Sequence, residues 1–64
     1  MTNTFTMYTT YETRTFTADQ FIEVLRDLLH VTSDVAKMMM HYMEEGKTYF
    51  AGATNFFVKN KAEA

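Results

Sequence analysis

Phe16-Thr17-Ala18-Asp19-Gln20-Phe21 is the segment that most constrains the fold, because it specifies where a helix begins. A Thr followed three residues later by Gln forms a capping box: the hydroxyl takes one free backbone N–H and the amide oxygen takes another. Phe before the cap and Phe four residues after it are spaced as a hydrophobic staple. The helix is therefore predicted over 18–30. At 100° per residue its stripe of Phe21, Ile22, Val24, Leu25, Leu28 and Leu29 opposes Asp19, Glu23, Arg26, Asp27 and His30.

A second helix is predicted over 33–45. Thr32 serves as its cap, and Asp34 in the first turn suits the helix dipole. Val35, Met38, Met39, Tyr42 and Met43 line its apolar side, with Lys37, His41 and Glu44 opposite. Gly46 stands where a helix closes with a left-handed residue. Met40 lies about 140° around the wheel from Val35, toward Lys37 and Glu44. It is therefore expected outside the core stripe.

The flanking segments are β-prone. Residues 4–16 are rich in Thr and aromatics and contain no Gly, Pro or Asn, so one long strand is the simplest expectation. In that strand Phe5, Met7 and Tyr11 share one face, and Tyr8, Glu12, Arg14 and Phe16 the other. A hairpin folded near Thr9-Thr10 is the alternative. Residues 48–58 form either one strand with a glycine bulge or a hairpin turning at Gly52 to Asn55, paired with the N-terminal strand. Residues 59–64 read as a frayed tail. The expected fold is a single α+β domain, β-α-α-β, with two amphipathic helices packed on a small antiparallel sheet.

At 64 residues without cysteine, the chain has no disulfides to staple it, and two histidines do not make a structural zinc site of the usual kinds. Apolar burial must supply the stability. A chain this short buries only about 60% of its unfolded surface, yet 47% of the residues are hydrophobic and 16% aromatic. That load points to a homodimer that buries the excess. The net charge of −2 creates no field for phosphate backbones or anionic membranes. No apolar run approaches the roughly 20 residues of a membrane span, and Met1-Thr2-Asn3-Thr4 has none of the basic character of a signal peptide. A cytoplasmic protein of a bacterium or phage, without membrane or cofactor, is the expectation.

Chemical constellations are sparse. His30 has Asp27 and Asp34 at helical spacing, and His41 has Glu44 and Glu45. Both lie on polar helix faces, where solvated charges are normal, so neither a metal site nor a catalytic base is expected. Nucleophiles are limited to Ser33 at a helix start and strand threonines. Gly46-Lys47-Thr48 lacks the upstream glycine of a phosphate loop. Tyr49, Phe50, Phe56 and Phe57 among Lys47, Lys59 and Lys61 have the makings of a base-stacking strand, but read more simply as strand core with solubilising lysines. An exposed Met40 would mark a protein contact. Met40, Lys37, His41, Tyr8 and Tyr49 are the candidate partner-binding residues.

Leu29-His30-Val31-Thr32-Ser33-Asp34-Val35-Ala36 is similar to the turn and recognition-helix start of helix-turn-helix repressors, with His30 at the usual glycine position. A strand followed by two helices is similar in order to ribbon–helix–helix repressors. Either resemblance implies a DNA-binding dimer, in which Arg14, Lys37, Lys47 and Lys59 should gather on one face. From Thr17 to Gly52, including Thr17-Ala18-Asp19-Gln20-Phe21-Ile22-Glu23-Val24-Leu25 and Gly46-Lys47-Thr48-Tyr49-Phe50-Ala51-Gly52, the chain resembles the ClpS family of protease adaptors. Thr13-Arg14-Thr15 replaces that family's Asn-Asp-Asp stretch, so the resemblance implies strand–helix–helix–strand order rather than its peptide pocket. The function expected is a non-catalytic regulatory or adaptor-like module that binds protein. The alternative is a repressor-like DNA-binding dimer.

Overall fold

Thr9 supplies a turn that the sequence does not advertise. Its hydroxyl donates to the Glu12 carbonyl at 3.1 Å and accepts the N–H groups of Tyr11 and Glu12 at 3.3 and 3.0 Å. A Thr side chain thereby does the work of a glycine turn. The computed structural model describes residues 3–52 and 54–62. In it the single long strand gives way to the hairpin alternative near Thr9-Thr10, with β1 (Phe5–Tyr8) and β2 (Thr13–Phe16). The hairpin corrects the facial assignment as well. Phe5 pairs with Phe16 and Met7 with Arg14, so Phe5 and Phe16, on opposite faces of a single strand, share one face.

The helices follow as α1 (Ala18–Leu29) and α2 (Ser33–Tyr42), then β3 (Thr48–Phe50) and β4 (Phe56–Lys59). The order is β-β-α-α-β-β rather than β-α-α-β, still an α+β fold with both helices on one antiparallel sheet. The sheet order is β2-β1-β4-β3. The C-terminal segment is the hairpin alternative, closed by Ala51 N–H on the Asn55 carbonyl at 3.0 Å with Gly52 at φ +87°. Residue 53 lies outside the described residues. The N-terminal strand pairs with the C-terminal one in the sheet centre, Phe5 opposite Lys59 and Met7 opposite Phe57.

The start of α1 matches its sequence signal. Gln20 N–H donates to Thr17 Oγ1 at 3.3 Å, and Thr17 N–H donates to Gln20 Oε1 at 3.1 Å. Phe21, wholly buried, stacks on Phe5 with ring centroids 4.6 Å apart, meets Phe57 edge-on at 5.1 Å and touches the staple partner Phe16 at 6.4 Å. One side chain thus ties α1 to three strands. The helix stops at Leu29, with His30 as cap at φ 54°. Asn and Asp, with His, are the non-glycine residues most often found in that left-handed region.

α2 begins as expected, Val35 N–H donating to Thr32 Oγ1 at 3.3 Å, but ends at Tyr42, three residues short of 45. Gly46 does not close it. Met43 leaves the helix in extended geometry, and Gly46 at φ +81° sits in the turn beyond, its N–H on the Lys59 carbonyl at 2.8 Å. The Lys59 ammonium instead donates to the Met40 carbonyl at 3.1 Å, a cation at the negative end of the helix.

Residues 59–62 are not a frayed tail. Asn60 donates through Nδ2 to Thr4 Oγ1 at 3.0 Å and Thr6 Oγ1 at 2.9 Å, and its backbone N–H donates to the Thr4 carbonyl at 2.9 Å. Ala62 N–H and the Asn3 amide both donate to Glu45 Oε2. These bonds hold residues 3–6 against residues 60–62, and both against Glu45, three residues beyond α2. Among the described residues no helix is long and apolar enough to cross a membrane.

Candidate functional site

The two helices do not share the work of burial equally. α1 sinks Phe21 and Leu25, at 0% and 2% exposure, while α2 buries only Ala36 and Met40. Ala36 has no side chain beyond Cβ, so α2 settles closely along that line and Met40 enters the core cluster with Phe5, Phe21 and Phe57. Of the five residues expected on the core face of α2, Met43 packs half-buried against the core, but the other four point outward: Val35 is 42% exposed, Met38 56%, Met39 36% and Tyr42 73%. Met40 is therefore not the exposed methionine, and Met38 takes that position. Positions 35, 38, 39 and 42 have the spacing of a helix face made to meet a neighbour.

Beside this stripe lies an apolar groove of about 270 Å³. Leu25, Leu29, Met43 and Phe57 form its deeper, buried or half-buried part. Met39 and Tyr42 from α2 and Phe50 from β3 stand exposed at its rim. Tyr49 also lines it, fixed by its hydroxyl, which accepts the Glu44 N–H at 2.7 Å. Stripe and groove share Met39 and Tyr42, so they form one continuous apolar surface.

The remaining candidate residues are dispersed. Lys37 and His41 lie on the polar flank of α2, exposed, and border a shallow depression with Met40 and Lys59. Tyr8 is on the outer sheet face, stacked on Phe56 with centroids 4.9 Å apart, and Phe50 continues this row at 5.7 Å from Phe56. Of the five, Tyr49 alone reaches the groove. The sequence signal for the missed residues was the width of the apolar arc on α2: with Ala36, Met40 and Met43 added to Val35, Met38, Met39 and Tyr42, it spans about 200° of the wheel. One neighbour does not cover an arc that wide.

Among the described residues no three His, Asp or Glu side chains converge as metal ligands. The four cations of the DNA-binding expectation are divided. Arg14 lies over the Phe16 ring on edge strand β2, whereas Lys47 pairs with Glu44 at 3.2 Å just before β3 at the opposite edge. Lys59 is turned to the Met40 carbonyl. The outward stripe of α2, which a recognition helix would fill with donors for base edges, is apolar. The protein families, characterised proteins and solved structures compared with this chain include no match.

Proposed function

We propose that the chain is a small non-catalytic regulatory or adaptor-like module that acts by binding protein through the outward stripe of α2 and the adjoining groove. The supporting observation is the exposure of Val35, Met38, Met39 and Tyr42 in helical register beside an apolar groove. Scattered apolar side chains on a surface are normal, but a contiguous patch joined to a groove is the mark of an interaction surface. Packing one helical face against another, or into a groove, is a recurrent mode of protein recognition. Methionine suits the task because its unbranched, polarisable side chain adapts to the surface it meets.

Affinity capture from the native host, with the unaltered chain and with Met38→Glu, tests this reading. A discrete protein retained by the unaltered chain, a second copy included, and lost from the folded variant is the expected outcome. Equal recovery by both chains would remove the α2 face from consideration.

A further inference from the structure

We propose that the occupant of the α2 face is a second copy of this chain, docked with the two α2 helices antiparallel about a two-fold axis between Met38 and Met39. This rests on the protein-binding reading of that face and supplies its partner.

The stripe is self-complementary. A two-fold axis between positions 38 and 39 sets Met38 against the partner's Met39 and Val35 against the partner's Tyr42, so each contact occurs twice, as an isologous interface requires. A small branched side chain then meets a large ring, and adaptable methionines meet at the centre.

The polar side chains at the stripe's edge agree with that direction. Asp34 in the first turn and His41 in the last turn lie on the same flank of the stripe, beside Met38, at 100° per residue. Antiparallel docking brings Asp34 near the partner's His41 at both ends and opposes the helix dipoles. Parallel docking about a two-fold would set the Asp34 and His41 of the two copies on opposite flanks, out of reach of one another.

The exposed area is of the right order. The chain presents 4665 Å² of accessible surface, whereas a compact monomer of 7.5 kDa is expected to present about 4,200 Å². Val35, Met38, Met39 and Tyr42 offer on the order of 400 Å² of accessible surface per copy, taking about 150–250 Å² for a whole large side chain. That is about half of the roughly 800 Å² per partner of a stable interface, with the polar margins to make up the rest. The molecule is also only 17 Å through its thinnest direction, a two-layer sandwich for which a second copy supplies the third and fourth layers.

Two measurements on the full chain test the proposal. Sedimentation equilibrium from ten to several hundred micromolar should give the dimer mass, with Met38→Glu and Tyr42→Lys each weakening association at least tenfold while the far-ultraviolet spectrum is unchanged. Because the chain has no cysteine, introduced thiols report the register: an oxidised mixture of Val35→Cys and Tyr42→Cys chains should cross-link between the two variants, and either alone far less. Val35→Cys cross-linking with itself as well as with Tyr42→Cys would overturn the antiparallel arrangement. A dimer that persists in both α2 variants would place the contact elsewhere, on the outer aromatic sheet face or a sheet edge, and overturn the proposal. A monomer at every concentration would overturn it too. If Met38→Glu still abolished capture of a different host protein, the protein-binding reading would stand without self-association.

Discussion

α1 and α2 are similar in length and each is capped by a threonine, yet they relate to the core in opposite ways. α1 directs its main apolar stripe at the sheet and buries Phe21 among rings from β1, β2 and β4. α2 turns its regular stripe to solvent and packs through Ala36 and Met40. An apolar face on a helix tells that burial is wanted, and not by whom. In α1 the demand is met inside the chain at every position of the stripe but Leu28, which is 42% exposed. In α2 the secondary line is met inside, and the primary one is left exposed.

The sharpest way to break this comparison is to remove the ring that holds α1. Phe21→Ala is expected to cost about 3–5 kcal/mol, comparable to the roughly 3–5 kcal/mol that a core of this size supplies in total. The variant should lose its cooperative thermal transition by circular dichroism, and retention of a sharp transition would mean that the aromatic cluster is not the keystone.

Next come the neighbouring methionines. Met40→Ala should destabilise by about 2–4 kcal/mol, whereas Met38→Ala should stay within about 0.5 kcal/mol, both by urea titration at low micromolar concentration in a Tyr42→Lys background, which weakens any self-association. Equal effects would erase the distinction between the two lines on α2. A lysine at position 40, benign if that side chain were exposed, is instead expected to unfold the chain by burying a charge.

The caps should be alike where the helix faces differ. Thr17→Ala and Thr32→Ala are each expected to cost about 1 kcal/mol, because each removes one acceptor for a first-turn N–H. A markedly larger loss at Thr17 would mean that its hydroxyl also positions Gln20, whose Oε1 accepts the Thr17 backbone N–H that alanine retains.

The smallest effect concerns the anchor after α2. The Asn3 amide above all, then the Ala62 N–H and the nearby Lys59 and Lys61 charges, hold the Glu45 carboxyl below its ordinary value of 4.5. A lowered carboxyl contributes stability above its unfolded pKa and loses it as pH falls through the folded one. The Glu45 side-chain resonance should titrate below 4.5, and Asn3→Ala should move the midpoint back up. No movement would separate the Asn3 contact from the carboxyl.

What the sequence made legible was local. The Thr17–Gln20 box and the Thr32 cap depend on atoms three residues apart, so residue types sufficed to place both helix starts. The β1–β2 turn was hidden because Thr9 achieves with a hydroxyl what glycine or asparagine normally signals. The facing of α2 was hidden for a different reason. Two apolar lines competed, and the choice depended on how closely Ala36 lets the helix approach, a property of the neighbours as much as of α2. The role of Asn60 was hidden too, because Thr4 and Thr6 lie more than fifty residues away along the chain.

The pairing of β1 with β4 has a consequence for the order of folding. Each hairpin closes over a handful of residues, and α1 and α2 are joined by a short connection, so all three units can form from neighbouring chain. The sheet that unites them needs Phe5 opposite Lys59, a loop closure whose entropy cost must be met before the central contacts reward it. Until that strand pair zips, the inner edges of both hairpins and the ring of Phe21 have nothing to cover them. The meeting of β1 with β4 is therefore expected late in folding, and mutations at the β1–β4 seam should slow folding more than equally costly ones at either hairpin tip.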